Sequence, residues 1–317
     1  MDTPQGKVMY DTILRTIIPI FLLVGTGLFS RKFGILKSGD ERIFSAYVYY
    51  FALPALFFIN LIETDFTEET LRFMLAGIIP ILIALTIFVS FYVMFRFSKN
   101  LLYLLILSTI FGSLAFFGIP FITFAFPETG EPVATLAAAS ISVVSVTASI
   151  TTLELYQLQQ SNVLKGLKIV AKRLSRNPLI LSIFSGILLS VIGVEIPLPI
   201  SQPLHMLGGT TSTVAIFMLG VFLYGRKYKN LVRAFKLSLL RIVFLPVVAL
   251  LTTMLFDFSA LERSTLTLMH GMPVAISMII LSERYDFYKE TIASLILISS
   301  LGAGLYLNLW LLSLGYY

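Results

Sequence analysis

Ten stretches of roughly 20 apolar residues, parted by short polar loops, fill this chain almost from end to end, and that length is what an α-helix needs to cross a bilayer. Helical spans are read near 11–30, 43–62, 71–95, 101–127, 132–157, 178–195, 201–224, 234–256, 262–282 and 288–313. Composition agrees: charged residues make up 13% of the chain, where a soluble domain carries about a quarter. The expected fold is therefore all-α and integral to a membrane. The run from Ile13 to Phe29 is long enough to span, and Asp2 and Asp11 dilute Lys7 and Arg15. It is read as the first helix rather than a cleaved leader.

Lys and Arg set the orientation of such a chain. The odd-numbered loops hold Arg31, Lys32, Lys37 and Arg42, then Arg96 and Lys99, then Lys165, Lys168, Lys172, Arg173 and Arg176. Arg226, Lys227, Lys229, Arg233 and Lys236 follow, then Arg284 and Lys289. Eighteen basic residues thus lie on one side, against Lys7, Arg15, Arg72 and Arg263 on the other, with Arg241 inside the eighth span. The even-numbered loops are acidic. Both termini are expected outside the cytoplasm, in a plasma-membrane protein. The net charge of +6 marks a membrane side and gives no reason to expect a nucleic-acid partner. The long loop 158–177 places Val163, Leu167, Val170 and Leu174 on one face among its basic residues. That pattern suits a cytoplasmic amphipathic helix at an anionic interface, or else a solvated linker.

Two spans carry interruptions. Phe117-Gly118-Ile119-Pro120 falls in the fourth and His270-Gly271-Met272-Pro273 in the ninth. Proline lacks a backbone donor and is at home in a helix's first turn, and glycine accepts angles that other residues resist. Each Gly-x-Pro unit is therefore read as one half-helix ending and another starting. Free N–H groups and a positive dipole end would open at Pro120 and Pro273, and free carbonyls would close the preceding halves. Such breaks at membrane depth are tolerated where they line a cavity, and matched breaks in two halves point to a transporter's substrate site. The competing reading is a set of mere kinks, as at Pro19, Pro54, Pro80 and Pro246.

Candidate substrate-binding residues are Ser113, Phe116, Gly118, Ile119 and Pro120 with His270, Gly271, Met272, Pro273 and Ser277. Ser113 lies about two turns before Pro120, although a membrane serine often bonds its own backbone. His270 is expected to be the sole ionisable group near mid-span, placed for a substrate carboxylate or a proton. A neutral histidine on a freed carbonyl is the alternative. Glu154 is read as reaching the cytoplasmic interface. Without cysteine, and with His205 and His270 as the only histidines, no metal site or cofactor is expected.

The halves also repeat. Pro19, Gly27 and Gly34 match Pro178, Gly186 and Gly193 at an offset of 159, and Pro80–Thr86 matches Pro246–Thr252 at 166. Residues 1–157 and 178–317 are then two five-span repeats joined by 158–177. Five is odd, so the second copy is inverted.

Tyr49-Tyr-Phe-Ala-Leu-Pro-Ala-Leu-Phe57, Gly112-Ser-Leu-Ala-Phe-Phe-Gly-Ile-Pro120 and Arg176-Asn-Pro-Leu-Ile180 stand in order along the chain. After them come Gly186-Ile-Leu-Leu, Leu219-Gly220, Met272-Pro-Val-Ala-Ile-Ser277 and Ser282-Glu-Arg-Tyr285. In these segments the chain resembles the auxin efflux carrier family over nearly its whole length. The resemblance implies ten helices in two inverted repeats, with spans 1, 2, 6 and 7 as an often dimeric scaffold. Spans 3–5 and 8–10 would form the transport domain, moving like an elevator, with substrate where the crossing fourth and ninth helices meet. Family substrates are organic anions. Where the family commonly has asparagine seven residues before the fourth-span proline, this chain has the shorter Ser113. It also lacks the long hydrophilic loop of many plant members.

The leading expectation is a secondary transporter of a small carboxylate, since no Gly-x-x-x-x-Gly-Lys-Ser/Thr motif supplies nucleotide energy. The coupling ion, proton or sodium, stays open. A sodium-coupled carrier similar to the bile acid symporters is the alternative, and behind it an intramembrane enzyme or a channel. An enzyme would need a paired acid and base or a metal cluster, which the spans lack.

Overall fold

The computed structural model describes residues 4–157, 163–225 and 228–316, in which the chain runs as helices α1 Pro4–Lys32, α2 Glu41–Ile62, α3 Glu68–Phe95, α4 Lys99–Ile110, α5 Leu114–Ala125, α6 Gly130–Gln157 and α7 Val163–Leu174. The second half comprises α8 Pro178–Ile192, α9 Leu198–Leu223, α10 Leu231–Thr253, α11 Ala260–Gly271, α12 Met278–Arg284 and α13 Lys289–Ser313. Seven of them (α1–α3, α6, α9, α10 and α13) are long and apolar enough to cross a bilayer. The protein is an all-helical, multi-pass membrane protein.

Three expected spans take another form. The fourth is divided into α4 and α5, and the ninth into α11 and α12. The sixth is the 15-residue α8, bent 65° from α7 across a short break. The bend has a local cause. Asn177 sits in extended conformation and its Oδ1 accepts from the N–H groups of Leu179 and Ile180, so a new helix starts at Pro178. In α7, Val170 is buried while Lys168 and Lys172 are exposed. Residues 158–162 of the loop lie outside the described residues.

Side chains set the other helix starts. Ser98 and Thr67 accept from the N–H groups of Leu101 and Thr70, and Ser259 with Glu262 forms a reciprocal capping box. Among the described residues there are also three π-helical turns, Val48–Ala52, Leu114–Gly118 and Leu240–Phe244. Each ends two residues before a proline: Pro54, Pro120 and Pro246. A widened turn makes room where the ring would strike the preceding carbonyl and no N–H is available. The prolines are thus absorbed into continuous helix.

Two packed groups result. In one, α1 lies along α9 and α2 lies between α8 and α9. The α1–α9 crossing depends on glycine on both sides, since a Cβ on Gly27 would strike the Phe217 carbonyl and one on Gly220 the Val24 carbonyl. In the other group α3, α6, α10 and α11 pack on one another, with α4 and α13 beside them. Large apolar side chains such as Phe21, Leu22, Val89, Phe184 and Leu255 remain exposed, as suits a surface solvated by lipid.

Candidate functional site

Backbone continuity fails at Phe111–Ser113, between α4 and α5, and at Met272–Ser277, between α11 and α12. The second failure begins directly after Gly271, as the sequence suggests. The first lies upstream of Gly118-Ile119-Pro120, which the π turn carries inside α5. Neither proline opens a half-helix: Pro273 sits in the unwound stretch, and the helix there resumes at Met278.

The two unwound stretches pair with each other. The Ser113 N–H donates to the Pro273 carbonyl at 2.7 Å and the Ala275 N–H to the Phe111 carbonyl at 3.0 Å, making a single antiparallel bridge between Gly112 and Val274. The Val274 N–H donates to the Ser299 hydroxyl of α13 at 3.1 Å. Each stretch therefore satisfies part of the other's exposed backbone.

The remaining carbonyls meet a side chain that sequence reasoning passed over. Arg241, from the π turn of α10, is wholly buried. Its Nε donates to the Met272 carbonyl at 2.8 Å, Nη1 to Thr109 at 2.8 Å and Ile110 at 3.4 Å, and Nη2 to Met269 at 3.3 Å. These are the closing carbonyls of α4 and α11, the negative ends of two helix dipoles. An arginine at the centre of an apolar span costs about 2.5–3.5 kcal/mol on insertion scales. A hydrogen bond to a charged group contributes about 1.5–3 kcal/mol, so four of them outweigh that cost. The signal was present in the sequence as one cation inside an otherwise apolar span.

His270 is consequently not the sole ionisable group there. It is fully buried, and its Nε2–H donates to the Gly77 carbonyl of α3 at 3.0 Å, because a carbonyl can only accept. Nδ1 has no partner, so the ring ties α11 to α3 through that one bond.

A cavity of about 320 Å³ opens between the two packed groups and ends at the bridge. Its mouth carries the exposed Arg42 and Arg284, and its inner end Gly112, Ser113, Leu114, Ala115 and Phe116. Tyr49, Asn177 and the α6 hydroxyls of Ser142 and Ser145 line the walls with Ser277. Of the predicted site residues, Ser113, Phe116 and Ser277 line this space. Gly118, Ile119, Pro120, His270, Gly271, Met272 and Pro273 do not line it; the first three lie within α5, and the last four belong to the end of α11 and the unwound stretch after it. Ser113 is 4% exposed and its hydroxyl has no partner. The first turn of α5 leaves the N–H groups of Leu114, Ala115 and Phe116 without intrahelical acceptors. The inner end thus offers donors and no acidic side chain.

Glu154, read as reaching the cytoplasmic interface, is turned onto protein partners. It is buried at the end of α6, paired with Arg173 of α7 and accepting from the Tyr285 hydroxyl, both at 2.5 Å. Arg173 also lies over the Tyr285 ring, 5.2 Å from its centroid. His205 pairs with Glu63 at 2.8 Å, far along the chain from either break. Among the described residues no group of three or more His, Cys, Asp or Glu side chains could hold a metal ion.

Comparison with known proteins gives a consistent picture. A family described as membrane transport protein matches residues 12–162 and 124–311. An uncharacterized transporter of Methanocaldococcus jannaschii, MJ1031, is 26% identical over 302 residues, covering 93% of this chain and 96% of its own. The uncharacterized transporter YfdV of Escherichia coli K12 is 24% identical over 310 residues, covering 96% and 98%. A Rhizobium meliloti protein named "Putative malonate transporter" is 26% identical over 134 residues, 42% of each chain.

Proposed function

The chain belongs to the membrane transport protein family, and from that premise we propose that it is a secondary transporter of a small organic anion, a short dicarboxylate in size and charge. One observation carries the reading: a buried, unpartnered Ser113 hydroxyl and the opening N–H groups of α5 meet at the inner end of a cavity whose mouth holds two arginines. Anions favour helix N-termini for their oriented donors and positive dipole end. A carboxylate would accept from Ser113 and the α5 amides. Ser142, Ser145 and Ser277 would orient the rest of the molecule. Arg42 and Arg284 would raise the local anion concentration at the entrance.

The cavity is of the size that small ligands occupy. The rhizobial relative named for malonate supports a dicarboxylate as the first substrate to try. We read the fold as two inverted five-span repeats, in which α1, α2, α8 and α9 stand still. The other group, with both broken segments, moves across the membrane, its cavity facing the cytoplasm in this conformation. The basic loops at Arg42 and Arg284 support that orientation.

The test is counterflow of labelled malonate into liposomes holding purified protein. Uptake that saturates and accelerates when the lumen contains unlabelled dicarboxylate is expected. A flux rising linearly with concentration would indicate a channel, and no flux with malonate, succinate or oxalate would remove the substrate class.

A further inference from the structure

Four backbone carbonyls, those of Thr109, Ile110, Met269 and Met272, converge from the closing turns of two half-helices onto one point, and a guanidinium fills it. Main-chain oxygens at the negative ends of two helix dipoles are the donor set that attracts a small monovalent cation. We propose that this is a cation site permanently occupied by the protein's own Arg241, so that the crossover of the broken helices is held together without any inorganic cation. The claim concerns the crossover itself and does not depend on which substrate the cavity takes.

Three features of the structure make the site a built one. All of the guanidinium nitrogens donate to main-chain oxygens, and no acidic side chain takes part. The side chain is fully buried, away from bulk solvent. Gly112 is fitted to it, because a Cβ at that position would overlap the Arg241 guanidinium. Gly112 also lines the cavity. Gly112 thus touches both the fixed cation and the space where an anion would rest.

The consequence is a latent vacancy. Removing the side chain should leave a carbonyl-lined hole that accepts a small cation from solution, with stability following occupancy. The experiment compares the melting temperature of detergent-purified wild type and Arg241→Ala in guanidinium chloride, sodium chloride and tetramethylammonium chloride. All are used at the same low, non-denaturing concentration. Wild type should not distinguish the three salts. Arg241→Ala should melt lower and be raised by several degrees by guanidinium, or by sodium, but not by the larger tetramethylammonium. An alanine variant indifferent to all three would overturn the proposal, as would a wild type selectively stabilised by sodium. Should Arg241→Ala not fold, Arg241→Lys and Arg241→Gln decide the matter. Lysine keeps a cation and should melt well above glutamine, which keeps only length and polarity. Equal melting of the two would overturn the assignment. Because the readout is stability, failure here leaves the anion reading standing, and failure of malonate counterflow leaves this one standing.

Discussion

At the scale of single residues, the hydroxyl of Ser113 and the missing side chain of Gly112 have the most to do. Ser113→Ala removes one donor from the cavity's inner end and leaves the 2.7 Å main-chain bond to Pro273 untouched. A hydrogen bond to a charged group is worth about 1.5–3 kcal/mol, so the KM for the transported anion should rise roughly tenfold or more, with expression unchanged. Concentration-dependent uptake in liposomes checks this. Gly112→Ala should be far worse, abolishing transport and lowering the melting temperature, because the new methyl would occupy the place of the Arg241 guanidinium. These two positions were legible to different degrees. Ser113 could be placed from its distance to Pro120. Gly112 could not, since its importance comes from a side chain 129 positions away that periodicity does not connect to it. His270 was read two ways, as a substrate or proton contact or as a histidine bonded to a carbonyl; its ring lies against the Gly77 carbonyl of α3, a partner that the sequence does not point to.

Among the elements, the prolines teach the clearest lesson. Gly-x-Pro was read as the point of breakage, and at Met272–Ser277 breakage does follow Gly271. In the other half the same unit lies inside helix, because a π turn supplies the room the ring needs, as it does before Pro54 and Pro246. Sequence pattern finds the proline; which of two backbone solutions accommodates it is decided by the neighbouring chain. Pro120→Ala should therefore leave transport largely intact. Gly118→Leu should abolish it, because even a Cβ there would sit 2.6 Å from the Met269 sulfur and 3.1 Å from Met272 Cγ. Uptake by the two variants at matched expression separates the cases. At the end of α6, Glu154→Gln should loosen α7 by removing the charge that Arg173 and Tyr285 share. A loss of about 1–3 kcal/mol is expected, seen as faster hydrogen exchange in Val163–Leu174 while the core stays protected.

Taken whole, the molecule was legible as a multi-pass helical membrane protein, because span length and charge asymmetry are averaged over many residues. The interior surface between its two groups of helices was not, because Ser142, Ser145, Tyr49 and Asn177 look like ordinary hydroxyls and amides until the fold brings them around one cavity. The absence of cysteine makes the proposed movement directly measurable. A single cysteine at Ser142 should react with a membrane-impermeant maleimide from the face that Arg42 and Arg284 mark, and saturating substrate should slow that reaction. Equal labelling from both faces would argue for a pore.

The guanidinium at the crossover has an electrical consequence. If the group of helices that holds it shifts across the membrane, a positive charge travels with every step, loaded or empty. A monoanion riding beside it would cross with almost no current, and a dianion with the current of one negative charge. The empty return would carry the positive charge alone, at up to about 2.3 kcal/mol per 100 mV of membrane potential. Voltage would then draw the unloaded carrier toward the negative side and, with a dianion aboard, push the loaded carrier the opposite way with equal force.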